Sequence, residues 1–119
     1  EKKSLIKSAI YSGEELGVKA LFIFTKSGKL ARLAAAFRPN LPIYAFTMRL
    51  SSVAYMNVLY GVFPFLLENW DEDFTNNITE SVSLLKTSWK LVSGDKVMVI
   101  NDIRSGEKEI PLMELLYID

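Results

Sequence analysis

The sequence contains no cysteine and no histidine. Without cysteine there is no disulfide, no thiolate metal site and no thiol nucleophile. Without histidine there is no imidazole base near neutral pH and no Ser-His-Asp triad. An excess of one charge is also missing: 14 basic residues balance 14 acidic ones, giving a formal net charge of +0. That balance lacks the basic footprint of a general nucleic-acid binder and the polybasic stretch of a membrane anchor. No apolar run approaches the roughly 18 residues of a membrane span, and no signal peptide is visible. The expectation is a cytoplasmic protein with neither nucleic acid nor membrane as partner. Its chemistry has to run on carboxylates, Lys, Arg, Tyr or the backbone.

What remains is ordinary globular material. The 119 residues, half of them hydrophobic and 24% charged, suit one domain over residues 1–119 with a real core. The first residue is Glu1 rather than Met, as in a trimmed segment. Lys3 to Leu16 reads as a helix ended by Gly17. Ala20–Phe24 is a continuous apolar run, the pattern of a strand covered on both faces. Thr25-Lys-Ser-Gly28 is turn-like, and Lys29 to Phe37 has helical spacing up to the stop at Pro39. Pro42–Phe46 is a second buried strand, Ser51 to Leu59 a helix, and Val62 to Leu67 a strand that Pro64 moves towards an edge. Phe74 to Val92 reads as the longest helix, with Phe74, Ile78, Val82, Leu85, Trp89 and Val92 in one core-facing stripe. Lys96–Ile100 is a strand, Asn101–Glu109 a polar loop, and Ile110 to Ile118 a last strand. Alternating strands and helices imply a parallel sheet between two helical layers. The last two strands lack a helix between them, so they should pair antiparallel. The fold class is a three-layer α/β/α sandwich.

The candidate site is Thr25-Lys26-Ser27-Gly28-Lys29, between a buried strand and a helix. N–H groups at a helix N-terminus have no intrahelical partner, and the helix dipole adds positive potential. Thr25 and Ser27 bring hydroxyls, Lys26 and Lys29 bring charge, and Gly28 permits close backbone approach to an anion. The sum is a phosphate cradle, at the strand end where open α/β sheets bind ligands. It is not a Walker A loop, because Ile23 and Leu30 stand where that motif needs Gly and Ser or Thr. The bland alternative is a polar turn with two solvated lysines. Trp70 either stacks on a ligand or plugs the end of the core. Asp71, Glu72 and Asp73 resemble a metal cluster, but they precede a helix start, where acidic residues offset the dipole. Arg32 is one turn from the cradle; Arg49, Arg104 and Lys108 could line the mouth of a site.

Phe24-Thr-Lys-Ser-Gly-Lys29, continuing through Ala31-Arg32-Leu33 to Phe37-Arg38-Pro39, resembles the phosphate loop of the pyruvate kinase C-terminal domain. Pro42–Thr47, Gly61-Val62-Phe63-Pro64 and Gly94-Asp95 with Val97–Ile100 resemble its later segments at similar spacing. The resemblance covers essentially the whole chain. It implies a five-stranded mixed sheet in order 3-2-1-4-5, the last strand antiparallel. It implies that Thr25, Lys26, Ser27 and Gly28 hold a phosphate of a sugar-phosphate effector, commonly fructose 1,6-bisphosphate. It also implies subunit contacts in a homo-oligomer. Trp70 falls at the place of a family Trp that clamps a second phosphate, but Asn77 stands where the accompanying Arg would be. Leu30 replaces a hydroxyl residue, and the acidic 101–109 segment would repel a second phosphate. These departures leave room for a single-phosphate ligand.

The family's phosphoryl transfer between phosphoenolpyruvate and ADP uses Mg²⁺ and usually K⁺ in an α/β barrel of about 250 residues. This chain is too short to hold that barrel, so no catalytic residue and no cofactor is expected within it. The leading expectation is a regulatory and oligomerisation domain of a glycolytic kinase, partnered by its barrel. The alternative is a free-standing module of the same lineage that binds a phosphometabolite or a protein. A third is an unrelated α/β enzyme with metal chemistry at Asp71–Asp73.

Overall fold

The apolar run Ala20–Phe24 forms β1, and all five residues are buried. Around it the chain runs α1 (Lys2–Leu16), β1, α2 (Lys29–Ala36), β2 (Ile43–Thr47), α3 (Leu50–Met56), β3 (Val62–Leu66), α4 (Phe74–Thr87), β4 (Lys96–Ser105) and β5 (Lys108–Tyr117). The computed structural model describes residues 2–105 and 108–119, with side chains over 2–101 and 112–119. The sheet order is β3-β2-β1-β4-β5. Strands β1 to β4 pair parallel, and β5 pairs antiparallel with β4, as expected.

Both sheet faces are apolar because strand side chains alternate. On one face Leu21, Ile23, Ile43, Ala45, Met98 and Ile100 pack against Ile6 and Ala9 of α1, Leu30 and Ala34 of α2, and Met56 of α3. On the other face Phe22, Phe24, Tyr44, Phe46, Val97 and Val99 pack against α4 through Leu85. Right-handed crossovers account for this division. The chain moves outward from β1 to β3 with α2 and α3 on one side. It then returns to β4, which puts α4 on the opposite side. The α4 face is an aromatic cluster: Phe24 meets Phe74 edge-on at 4.7 Å and stacks on Phe46 at 5.1 Å. Such pairs contribute about 0.5–1.5 kcal/mol each beyond area burial.

Two expectations are corrected. The longest helix ends at Thr87, not Val92. Trp89 N–H donates to the Lys86 carbonyl and Lys90 N–H to the Leu85 carbonyl. With Trp89 at φ +61°, this is the paired-bond ending that places a left-handed residue just past the helix. The turn reverses the stripe. Leu91 is buried at 2% exposure, while Trp89, expected in the core, is 86% exposed. Second, the polar segment Asn101–Glu109 is not a loop throughout. β4 runs on to Ser105 and β5 starts at Lys108, with Ser105 paired to Lys108. A strand at a sheet edge tolerates a charged composition that reads as loop. Residues 106 and 107 lie outside the described residues.

Candidate functional site

β1 and β4 are neighbours although the chain leaves them in opposite directions, which opens a crevice at their carboxyl ends. A cavity of about 280 Å³ lies there, at the small end of ligand sites. Thr25, Lys26, Ser27 and Lys29 form one wall; Phe24, Trp70 and Asn101 form another. Lys2 from α1, Leu30 from α2 and Arg49 from the start of α3 complete it, giving four cationic residues and, among the described residues, no carboxylate. A chain of zero net charge has therefore gathered positive charge at one crevice.

The loop's hydroxyls already have work as acceptors. Thr25 Oγ1 accepts the Gly28 N–H at 3.0 Å, and Ser27 Oγ accepts the Lys29 N–H at 3.2 Å. Each still holds its own O–H to donate. Among the described residues, the N–H groups of Lys26, Ser27, Leu30 and Ala31 meet no acceptor. They sit before and within the first turn of α2, where intrahelical partners are lacking. The arrangement is a set of donors with cations around it, suited to an anion.

The structure thus gathers Thr25, Lys26, Ser27, Lys29 and Trp70 at one cavity. Gly28 is different. It adopts φ +91° as the residue before α2, and a Cβ there would stand 2.8 Å from Tyr55 Cδ2 and 3.0 Å from Met56 Cγ. Its close approach is to α3, not to the crevice. Arg104 belongs to β4, and its side chain lies outside the described residues. Arg32 and Tyr55 border a separate, open depression with Ser27 and Lys29. Leu30 is buried at 2% exposure in the core, so the hydroxyl absent there is replaced by packing.

Trp70 is half-buried and combines both readings given for it. Its ring lies 6.4 Å from that of Phe24, and it also borders the cavity. Asn77 explains how it is held. Asn77 is 1% exposed. Its Oδ1 accepts the Asp71 N–H at 2.9 Å, and its Nδ2 donates to the Asp71 carbonyl at 2.8 Å. Both ends of its amide are thus engaged inside the protein, and it does not line the cavity. Asp73 caps α4, accepting the Thr75 N–H at 3.0 Å. Asp71 accepts the Asp73 N–H and an Asn76 side-chain N–H, and these bonds hold its carboxyl below the usual carboxylate range. Asp71 and Asp73 therefore order the start of α4. Among the described residues, no group of three or more carboxylates stands where it could hold a metal ion.

Sequence reasoning missed Lys2 and the buried hydroxyls of Thr47 and Ser52. Thr47 Oγ1 and Ser52 Oγ both donate to the Lys26 carbonyl, at 3.0 and 2.6 Å. Small hydroxyl residues near a strand end carry no signal until the fold sets them beside the loop.

Residues 3–113 match the family model described as "Pyruvate kinase, alpha/beta domain". The chain is 37% identical over 101 residues to "Pyruvate kinase isozyme A, chloroplastic" of Ricinus communis and 35% identical to that of Nicotiana tabacum. Each alignment covers 85% of this chain but 17% of the relative, so the chain spans about a sixth of those proteins. A solved structure, "Cryptosporidium parvum pyruvate kinase in complex with ADP", superposes with a TM-score of 0.89 over 99% of this chain and 24% of that one, at 22% identity. The shared fold follows from the superposition and the kinship from the sequence match over nearly all of its length: the chain belongs to the pyruvate kinase α/β-domain family.

Proposed function

We propose that this chain is the regulatory and oligomerisation domain of a pyruvate kinase, and that its crevice binds the phosphate group of a small effector. The observation that carries the reading is the crevice itself: N–H groups without acceptors, two hydroxyls and four cationic residues surround about 280 Å³ of space. A phosphate oxygen would accept from Ser27 N–H and the first-turn N–H groups of α2. Thr25 and Ser27 would donate their O–H groups, and Lys26, Lys29 and Arg49 would offset the charge. Asn77 is spent on Asp71, so no cation stands at its position to meet a second phosphate. This favours a monophosphate over fructose 1,6-bisphosphate.

Occupancy would act by population shift, favouring whichever arrangement of domains and subunits holds the loop best. An oligomer contact is supported on the β5 side. There Leu5, Leu112 and Met113, 39–44% exposed, surround a small apolar cleft beside an open sheet edge. Phosphoryl transfer, with its Mg²⁺ and K⁺, belongs in this proposal to a barrel outside these residues, and no metal chemistry is routed through them. Isothermal titration with inorganic phosphate and with a sugar monophosphate tests the reading. Ser27→Asp places a negative charge in the cradle and should abolish binding. Unchanged binding by S27D would refute the assignment.

A further inference from the structure

The Lys26–Ser27 peptide is held from behind. The Lys26 carbonyl accepts two hydrogen bonds, from Thr47 Oγ1 at 3.0 Å and Ser52 Oγ at 2.6 Å. Thr47 closes β2 and is 0% exposed; Ser52 lies in the first turn of α3 and is 4% exposed. Thr47 Oγ1 also accepts the Arg49 N–H at 3.3 Å. Its single hydroxyl hydrogen is therefore committed to Lys26, not shared among rotamers. Two residues further on, the loop presses Gly28 against Tyr55 and Met56 of α3.

A peptide unit is planar and, in this chain as described, trans. In a trans peptide the C=O of one residue and the N–H of the next point in opposite directions. Anchoring the Lys26 carbonyl to α3 therefore turns the Ser27 N–H away from α3. Ser27 borders the cavity, whereas Ser52, Tyr55 and Met56 do not. The anchored orientation gives the crevice a donor. The flipped peptide would instead offer it a carbonyl oxygen, which repels an anion.

We infer that Thr47 and Ser52 are positioning residues that preset the Lys26–Ser27 peptide for anion binding, an inference that rests on the phosphate reading above. The cradle is tied to β2 through Thr47 and to α3 through Ser52, so a shift of α3 turns the donor, and an anion on the donor resists a shift of α3.

The test uses this chain and inorganic phosphate as the probe. Thr47→Val and Ser52→Ala each remove one bond while keeping shape. The double variant should bind phosphate about tenfold more weakly or worse, as expected for a lost donor to a charged group. The Lys26 carbonyl ¹³C and Ser27 amide ¹H resonances of the free chain should move with it. Ser52→Thr and Thr47→Ser keep the hydroxyls and should restore affinity. Ser81→Ala is the control. It removes a buried hydroxyl that donates to the Asn77 carbonyl at 2.7 Å and does not line the cavity, and should leave affinity unchanged. If the parent chain binds phosphate and T47V/S52A binds equally well, the positioning role is overturned while the phosphate reading stands. If the parent chain binds no phosphate, the reading itself falls, and the inference with it. Equal weakening by S81A would assign the effect to general loosening and overturn the inference.

Discussion

Replacing Gly28 by alanine separates two effects that the structure superimposes at one residue. The first is conformational: φ is +91°, and an L residue there costs about 1–2 kcal/mol. The second is space. The new Cβ would lie 2.8 Å from Tyr55 Cδ2 and 3.0 Å from Met56 Cγ. Tyr55 is 40% exposed and can swing aside, whereas Met56 is 0% exposed and held in the core. Overpacking against such a neighbour costs about 1–3 kcal/mol. Alanine also restricts the unfolded chain, which returns about 0.4–1 kcal/mol. The net expectation is a loss of about 2–4 kcal/mol for G28A. Gly61 supplies the comparison. Its φ is +72° with nothing within 4 Å of a Cβ, so G61A should lose only the conformational part, about 1 kcal/mol. Urea unfolding followed by circular dichroism measures both, with the m-value showing that the denatured state is unchanged. The double variant G28A/Y55A should recover part of the loss relative to the sum of its single variants, because the nearest clash is gone. Equal costs for G28A and G61A would refute the claim that the loop is pressed against α3.

Three further outcomes follow from the geometry. Asn77→Ala strands the Asp71 N–H and carbonyl, so it should cost about 2–3 kcal/mol and shift the Trp70 fluorescence; a variant as stable as the parent would contradict the latch. Trp89→Gly relieves a left-handed residue that buries little, and should raise stability by about 0.5–1 kcal/mol in thermal unfolding; a loss would show that Trp89 makes contacts that its exposure denies. Asp71 titrates below its ordinary value of 3.8 when folded, chiefly through the Asp73 N–H. Its ionised form is thus favoured by folding. The stability it adds is present above pH 3.8 and lost as pH falls through the lower folded value. The stability gap between parent and D71N should narrow on acidification, and a gap independent of pH would contradict this.

Much of this was legible in the residues. Ala20–Phe24 announces a central strand because only a strand covered on both faces has no polar position. The missing helix before the last strand fixes its antiparallel direction. The polar, glycine-containing turn after the first buried strand marks the crevice. What was not legible depends on tertiary partners. The α4 stripe continues through Trp89 by spacing alone, but the chain reverses after Ser88, and Leu91 takes the core place. Asn101–Ser105 and Lys108–Glu109 read as loop because strands at a sheet edge tolerate charge. Asn77 occupies an expected ligand position yet turns inward, since its amide matches the Asp71 backbone. Lys2 arrives at the cavity from the far end of the chain, which no local pattern reveals.

The most direct test of the account is a ¹⁵N–¹H titration of this chain with inorganic phosphate. Phosphate held in the crevice should give saturable shifts at the amides of Ser27, Leu30 and Ala31 and at the Trp70 indole, with α4 beyond its first turn silent. Absence of shifts in the Lys26–Ala31 segment at saturating phosphate, or shifts centred elsewhere, would contradict it.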